Sequence, residues 1–166
     1  INNLKEKGKI KKFGVSVYTP EELSTFLMVT TPDIIQIPLS IFNQNFLHNS
    51  QITKLHAAGV EIHARSVFLQ GVLLADNQNL QKNLMPFANK IEAVKLFAEK
   101  NNTSQIGLAL DFIRQTRITQ VAVLGVTSEK ELFSIISAPQ KTFTNIKWEK
   151  FQIKNSQLNN PNLWPA

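Results

Sequence analysis

The sequence predicts an α/β fold in which parallel strands alternate with helices, and two observations support this prediction. Four short apolar segments rich in β-branched residues are typical of strands buried on both faces, as in parallel sheets. The segments between them carry apolar residues at helical spacing. The chain has 166 residues, of which 43% are hydrophobic, so it can form a sizeable core. It is too short for a complete (β/α)₈ barrel, which needs roughly 250 residues.

The predicted strands are separated by helical segments of ordinary length. The strands cover residues 12–17, 33–39, 60–68 and 120–126. With the helices between them, they give the order β-α-β-α-β-α-α-β-α. Right-handed crossovers would make consecutive strands parallel neighbours in one sheet.

The first two helices have recognisable start and stop residues. Thr19 is a good N-cap residue and Pro20 suits the first helical position. Ser50 is predicted to cap the second helix over residues 51–58, and Gly59 is predicted to end it.

Two helices are predicted between the third and fourth strands. The first is amphipathic over residues 86–100 and follows a long polar loop. Asn101 and Asn102 interrupt the pattern, and Thr103 or Ser104 is expected to cap the next helix.

The net charge of +6 lies at the two ends of the chain. Residues 1–12 carry five Lys and one Glu, residues 138–166 carry four Lys and one Glu, and the centre carries nine basic and ten acidic residues. A nucleic-acid-binding domain is expected to carry Lys and Arg across one face, interleaved with aromatic residues. The charge pattern therefore argues against nucleic-acid binding. From residue 138 the chain is a basic, Asn-rich tail, residues 138–166, which is expected to pack on the main part, residues 1–137.

Cysteine, histidine and apolar runs exclude further classes of protein. The chain has no Cys, so it has neither a disulfide framework nor a thiolate metal site. Its three histidines, His48, His56 and His63, lack a metal-binding spacing, and we expect no bound metal. No apolar run approaches the ~20 residues of a membrane span, and residues 1–12 lack the apolar core of a signal peptide. We expect a cytoplasmic protein that does not bind membranes.

Ligand chemistry is expected where the strands end, because parallel α/β folds bind ligands at the C-terminal ends of their strands. The amide of Gln36 is either hydrogen-bonded within the core or binds a ligand. The guanidinium of Arg65 needs a partner and can stack on a flat ring. His63 is more typical of a core or barrel-lining residue. The polar residues at the ends of the first three strands are Ser16, Gln36, Arg65 and Ser66.

The loop after the last strand leads directly into a helix. Thr127 or Ser128 is expected to cap this helix in a capping box with Glu131. Backbone N–H groups at a helix N-terminus attract anions. Together with the turn over residues 66–71, the loop is therefore a candidate phosphate site. The alternative is an ordinary βα loop with a good cap.

Four stretches of the chain, taken in order, resemble the aldo-keto reductase family. Their order and spacing span roughly residues 10–137, and the NPNLW ending also resembles family tails. The stretches are FGVSVYTPEEL at 13–23, DIIQIP at 33–38, ARS at 64–66 with QGVLL at 70–74, and VLGVTS at 123–128 with Leu132.

The resemblance implies a (β/α)₈ TIM barrel of which this chain forms strands five to eight, a half barrel. It also implies an oxidoreductase that reduces carbonyl compounds with NADPH or NADH. By the same resemblance, Ser16 and Gln36 would hold the carboxamide of the nicotinamide, and Arg65 would pack on its ring.

The resemblance assigns the rest of the cofactor to the two later strand ends. Ser66, Phe68 and Gly71 would lie along the pyrophosphate. Glu131 stands where many relatives carry a cation or an amide, so NADH is hypothesised over NADPH. The residues expected to face the adenosine end are Gly125, Val126, Thr127, Ser128 and Glu131.

The catalytic residues that the resemblance implies are not found in this chain. In the family, the catalytic Asp, Tyr, Lys and His lie on strands two to four and their loops. Tyr18 is the only tyrosine here, and the four residues cannot be assembled. We therefore predict that the chain alone does not reduce carbonyls. The ARSVFLQG segment resembles relatives from polysaccharide gene clusters, which suggests a small, sugar-like carbonyl substrate.

The expected half barrel needs a partner, because its two edge strands would be open. The chain begins with Ile1, and we expect a cut before it. The expected partner is the missing N-terminal half, or a second copy joined through the strand edges. An alternative function is a non-catalytic half-barrel scaffold or oligomerisation module.

Overall fold

A computed structural model of the chain contains four parallel strands in one sheet, and it describes residues 1–143 and 146–164. The strands are β1 (Gly14–Ser16), β2 (Ile34–Pro38), β3 (Glu61–Arg65) and β4 (Val121–Ala122). Each strand pairs in parallel with its neighbour along the chain, in the order β1-β2-β3-β4. This order confirms the predicted α/β arrangement.

Seven α-helices are described, four of them between the strands. They are α1 (Asn2–Glu6), α2 (Pro20–Leu27), α3 (Ser50–Ala57), α4 (Ala88–Lys100), α5 (Gln105–Thr116), α6 (Glu129–Ile136) and α7 (Ser156–Asn159). Short 3₁₀ helices occur at Val72–Leu74, Asn77–Asn79, Lys82–Phe87, Trp148–Phe151 and Pro161–Leu163. None of the described helices is both long and apolar enough to cross a membrane.

The two faces of the sheet differ in what covers them. Ile35, Ile62 and Ala64 point to one face and are fully buried. There they pack in clusters that include Leu23 of α2 and Phe112 of α5. Because side chains alternate along a strand, the residues between these positions lie on the opposite face.

That opposite face, here called the open sheet face, carries polar side chains in register. Ser16, Gln36 and His63 form one row across β1, β2 and β3, and Val121 of β4 continues it. The side chains of this row are partly or largely exposed, whereas Pro38 at the end of β2 is buried.

Most helix starts follow the predicted caps. The Thr19 hydroxyl accepts a hydrogen bond from the Glu22 N–H, and the Ser104 hydroxyl accepts one from the Gly107 N–H. The prediction that Ser50 caps α3 is wrong. Asn49 is the cap, and its side-chain oxygen accepts from both Gln51 and Ile52 N–H groups. The longer amide reaches two backbone donors, so the helix begins one residue earlier than predicted.

All four strands are shorter than predicted. β1 and β2 lose residues at both ends, and β3 and β4 are shortened further. The segment 60–68 forms a strand only to Arg65, because Ser66 turns the chain with a φ of 57°. The segment 120–126 pairs only over Val121–Ala122. β4 has β3 as its single neighbour among the described residues, and their last pair is Ala64 with Ala122.

The C-terminal tail returns to the helix-covered side of the sheet. Phe151 and Ile153 are buried, and the Ile153 N–H donates to the Phe42 carbonyl at 2.9 Å. The Trp148 ring meets Phe112 edge to face, with centroids 5.2 Å apart. Four residues of the predicted tail, Thr144, Asn145, Pro165 and Ala166, lie outside the described residues.

Candidate functional site

A groove of about 550 Å³ opens beside the C-terminal ends of β3 and β4. One wall is the turn that follows β3, and the other is the loop after β4 with the start of α6. Six of the residues predicted to bind cofactor line it: Ser66, Phe68, Gly71, Gly125, Thr127 and Glu131. The fold thus brings together two segments about sixty residues apart in sequence.

The turn after β3 has a strained backbone. Leu69, Gln70 and Gly71 have φ values of 48°, 52° and 85°, and Ser66 also has a positive φ. Residues other than glycine rarely adopt a positive φ, so a run of such residues is typical of a functional segment. The fully buried side chain of Leu69 anchors the turn.

The same turn leaves two backbone donors of groove-lining residues without an acceptor among the described residues. The Leu69 N–H donates to the Ser66 carbonyl, and the Val72 N–H donates to the Leu69 carbonyl. No acceptor among the described residues takes the N–H groups of Gln70 and Gly71. Successive free N–H groups in a tight turn form a concave site that favours anions.

The opposite wall is closed by a capping box at the start of α6. The Ser128 hydroxyl accepts from the Glu131 N–H at 3.2 Å, and the Glu131 carboxylate accepts from the Thr127 N–H at 2.7 Å. These bonds confirm Ser128 as the cap. Hydrogen bonds from the backbone and hydroxyl of Thr127 lower the pKa of Glu131, with a smaller contribution from the backbone of Ser128. The carboxylate is therefore charged at neutral pH.

Some groove residues were not found from the sequence. Lys130 brings an ammonium group to the same wall as Glu131, and Ile106 of α5 contributes an apolar floor. In the sequence, Lys130 is an ordinary residue of a helix start, and Ile106 belongs to the apolar face of a helix. Their place in the groove depends on how α5 and α6 pack, which local patterns do not specify.

Gly125 lines the groove, and the surrounding structure has room for a side chain at this position. A Cβ added at this position would meet no protein atom within 4 Å. The neighbouring Val126, also predicted to bind cofactor, does not line the groove and is 41% exposed. Ser128 does not line it either, since its side chain caps α6.

Arg65 joins the groove to the open sheet face. Its guanidinium donates to the Ser16 hydroxyl at 3.1 Å, to the Val17 carbonyl at 3.2 Å and to the Ser66 hydroxyl at 3.4 Å. It also lies 4.0 Å from the centroid of the Tyr18 ring. The residues predicted at the nicotinamide end and at the pyrophosphate are thus connected through this one side chain.

Sequence reasoning missed Tyr18 as a partner of Arg65. Strand register could have revealed it. Ser16 lies in the same row as His63, so residues two positions further, Tyr18 and Arg65, fall in the next row. The Tyr18 ring gives Arg65 an aromatic contact within this chain.

Gln36 lies apart from the groove, at the centre of the open sheet face. It is partly buried between Ser16 and His63 in register. No described residue hydrogen-bonds its side-chain amide. The sequence left two interpretations of Gln36 open, a hydrogen-bonded core amide and a ligand-binding amide. The hydrogen-bonded core amide is not observed among the described residues.

The opposite end of the open sheet face carries a charged cluster. The Lys12 ammonium lies 2.5 Å from one carboxylate oxygen of Glu61, and the other oxygen lies 3.0 Å from Nε2 of His63. The bond from Lys12, then the bond from His63, lowers the pKa of Glu61. Across residues 1–143 and 146–164, no group of three or more His, Cys, Asp and Glu side chains is placed to hold a metal ion.

Comparison with known families gives one match. Residues 1–156 match the family model described as the aldo/keto reductase family. A search of curated proteins finds no match.

Comparison with solved structures gives the same fold. An aldo-keto reductase from Bacillus halodurans in its apo form matches with a TM-score of 0.66 and 16% identity, over 90% of this chain and 52% of that one. The glycerol dehydrogenase from Gluconobacter oxydans matches with a TM-score of 0.68 and 18% identity, over 89% and 49%. The holo form of the Bacillus protein matches with a TM-score of 0.64 and 15% identity, over 90% and 52%. The chain spans about half the length of these structures.

Proposed function

The chain belongs to the aldo/keto reductase family, and we propose that it is the C-terminal, cofactor-binding half of an NAD(P)H-dependent oxidoreductase. The observation that carries the proposal is the groove between the turn at 66–71 and the start of α6. Its walls hold six of the eleven residues assigned to the cofactor from the sequence. A non-catalytic scaffold would not need these residues to line one groove. The match to the family model also favours an oxidoreductase over a scaffold.

The four parallel strands are proposed to be strands five to eight of a (β/α)₈ barrel. Two observations support this assignment. The sheet has four strands in sequential order, and the chain covers about half of each solved structure that it matches. The open sheet face would then line the barrel interior.

The residues of the groove and of the open sheet face together suit a dinucleotide. A bound nicotinamide cofactor supplies a hydride for transfer to a carbonyl carbon. We propose that the N–H groups of Gln70 and Gly71 and the Ser66 hydroxyl would donate to a pyrophosphate, since all three residues line the groove. Gln36 has an unused amide that can pair with a carboxamide, and Ser16 lies beside it in register. Arg65 supplies a positive charge between the two positions.

Glu131 is proposed to favour NADH over NADPH. Its carboxylate is fixed by Thr127 and stays charged because its pKa is lowered. A 2′-phosphate beside it would be repelled. Lys130 on the same wall is not fixed by an ion pair among the described residues, so its flexible ammonium offsets this charge only in part.

The catalytic residues are proposed to lie outside this chain. The single tyrosine, Tyr18, is stacked on Arg65, and the chain does not offer the Asp, Tyr, Lys and His of the family together. The carbonyl substrate is proposed to be sugar-like, and one structural neighbour is named a glycerol dehydrogenase. We expect no oxidation of NADH by the purified chain with simple aldehydes. Measurable turnover in that absorbance assay would contradict the assignment.

The groove is tested by a fluorescence titration of the chain with NADH and NADPH. Gly125→Val should weaken binding about tenfold or more, since the new side chain enters the groove without touching protein atoms. Val126→Leu is the matched control, because this residue is in the same loop but outside the groove. It should leave binding unchanged.

The possible results separate the two claims. If the chain binds neither nucleotide, or if Gly125→Val binds as well as the wild type, the groove is not the cofactor site. If NADPH binds much more tightly than NADH, only the role of Glu131 is wrong.

A further inference from the structure

Tyr18 is held just beyond β1 by the start of α2. The Thr19 hydroxyl accepts a hydrogen bond from the Glu22 N–H at 3.2 Å, and the Glu22 carboxylate accepts one from the Tyr18 N–H at 2.7 Å. The start of α6 has the same pair of bonds, with Thr127 in the place of Tyr18. Reciprocal bonds of this kind fix the path of the chain into a helix. The backbone of Tyr18 is therefore fixed relative to α2.

The backbone of Arg65 is fixed by the sheet. Arg65 is the last residue of β3 and pairs in register with Pro38 of β2. Its carbonyl accepts a hydrogen bond from the Leu39 N–H at 3.0 Å. An arginine side chain has many rotamers, so a fixed backbone does not by itself fix the guanidinium. The orientation of the guanidinium depends on what the side chain contacts beyond the sheet.

Three hydrogen bonds and one aromatic ring hold the guanidinium of Arg65. It donates to the hydroxyls of Ser16 and Ser66 and to the Val17 carbonyl. Hydroxyl groups rotate, and each can also bond a ligand or water. The Tyr18 ring centroid lies 4.0 Å from the guanidinium carbon, well within the roughly 6 Å range of a cation–π contact. Because the ring is rigid and its backbone is fixed, this contact restricts the guanidinium most.

The guanidinium lies at the junction of the groove and the open sheet face. Ser66 lines the groove, whereas Ser16 lies in register with Gln36 on the open sheet face. A cofactor that extends from the groove to Gln36 would pass Arg65 between its pyrophosphate and its nicotinamide. A guanidinium is planar, so its contact with a flat ring depends on its orientation. The contact that fixes Arg65 therefore affects how the nicotinamide end is bound.

We propose that Tyr18 is a positioning residue, which holds the Arg65 guanidinium in the orientation that meets the nicotinamide end of the cofactor. This inference rests on the proposed function, because it requires the groove and the open sheet face to bind one dinucleotide. Tyr18 acts through Arg65 and does not itself contact the pyrophosphate. Loss of its ring should therefore weaken binding of the nicotinamide part and leave binding of the rest of the cofactor unchanged.

The first test compares two ligands by calorimetric titration of the full 166-residue chain. ADP-ribose has the pyrophosphate and both riboses of NADH but lacks the nicotinamide. Tyr18→Leu should weaken NADH binding about fivefold and ADP-ribose binding less than twofold. Tyr18→Phe keeps the ring and should bind NADH within about twofold of the wild type. Phe133→Leu is the matched control, because Phe133 is an aromatic residue of α6 that does not line the groove. It should leave both affinities unchanged.

A double substitution tests whether Tyr18 acts through Arg65. Arg65→Gln should weaken NADH binding, and adding Tyr18→Leu to it should cause less than about twofold further loss. Losses that multiply in the double variant would overturn the inference, because Tyr18 would then act independently of Arg65. Equal losses of NADH and ADP-ribose binding in Tyr18→Leu would also overturn it, since that result indicates a general disturbance of the site.

The contact itself is tested without any nucleotide. Tyr18 is the only tyrosine of the chain, so a sample labelled at tyrosine gives the NMR signals of one ring. Arg65→Gln should shift these signals, and Phe133→Leu should not. Unshifted signals in Arg65→Gln overturn the inference whether or not the chain binds a nucleotide.

The results separate this inference from the proposed function. A chain that binds neither NADH nor ADP-ribose overturns both. A chain that binds both ligands, with no loss of NADH binding in Tyr18→Leu, overturns only the role of Tyr18. If circular dichroism shows that Tyr18→Leu does not fold, the ring signals of the wild type decide. They should shift when NADH is added and stay unchanged with ADP-ribose, and the same response to both ligands would overturn the role of Tyr18.

Discussion

Helices α5 and α6 start in the same way but end in different surroundings. Each has a serine cap whose hydroxyl accepts from the N–H three residues later, Ser104 for α5 and Ser128 for α6. Both are amphipathic. Seven consecutive residues of α5 are buried, from Gly107 to Ile113, whereas α6 has no buried residue. The difference shows that local signals make the helix, while the neighbouring elements decide whether its apolar face becomes core.

The neighbours of α5 are the sheet and the C-terminal tail. Phe112 packs against Trp148 from the tail and belongs to the same cluster as Ala64 of β3. α6 follows the edge strand β4, so one side of it faces no further βα unit among the described residues. The stability of the chain should therefore be concentrated around α5.

The largest expected difference between α5 and α6 is in the free energy of unfolding that is lost when one phenylalanine on each helix is changed to alanine. Phe112→Ala should lower the free energy of unfolding by about 3–5 kcal/mol, because it opens a cavity in the core. Phe133→Ala should change it by less than about 0.5 kcal/mol within one copy, because the ring is exposed. Urea unfolding followed by circular dichroism measures both values.

Repeating the measurement at a low chain concentration sharpens this contrast, because any contribution from association falls with concentration. Equal losses from both substitutions at low concentration would show that α6 is packed within one chain, contrary to the structure.

The sequence predicted the parts of the molecule that local chemistry determines. Strand centres, the caps Thr19, Ser104 and Ser128, and the parallel order all follow from residue pattern and spacing. The extent of β3 and β4 did not, because strand length depends on pairing with a neighbour. The cap of α3 was misplaced because Asn49 and Ser50 are both good caps, and only the backbone geometry separates them.

The sequence predicted which residues belong to the candidate site better than it predicted how their side chains contact one another. The ends of β3 and β4 were expected to converge, and six of the assigned residues line one groove. The stacking of Tyr18 on Arg65 needs the register of two strands that are not adjacent. The contributions of Ile106 and Lys130 need the packing of α5 and α6. None of these is a property of a short segment.

The two helices also carry carboxylates whose pKa values should move in opposite directions. Asp111 of α5 is 2% exposed, and burial raises its pKa above the ordinary 3.8, although the Lys141 N–H and Arg114 donate to it. Glu131 of α6 is exposed, and hydrogen bonds from Thr127 lower its pKa below the ordinary 4.5. The pKa of the carboxyl group is thus raised by burial in α5 and lowered by the capping hydrogen bonds in α6.

These shifts predict a small and opposite dependence of stability on pH. For Glu131 the folded pKa is lowered, so its stabilisation is present above the unfolded pKa and is lost as pH falls through the folded pKa. For Asp111 the folded pKa is raised, so the cost of its buried charge is present above that pKa and is relieved as pH falls through it.

A carboxyl-detected NMR titration should place the Asp111 midpoint above 3.8 and the Glu131 midpoint below 4.5. Thr127→Val should move only the Glu131 midpoint upward, since it removes the hydroxyl donor and keeps the backbone one. Midpoints shifted in the same direction would show that α5 and α6 share one environment.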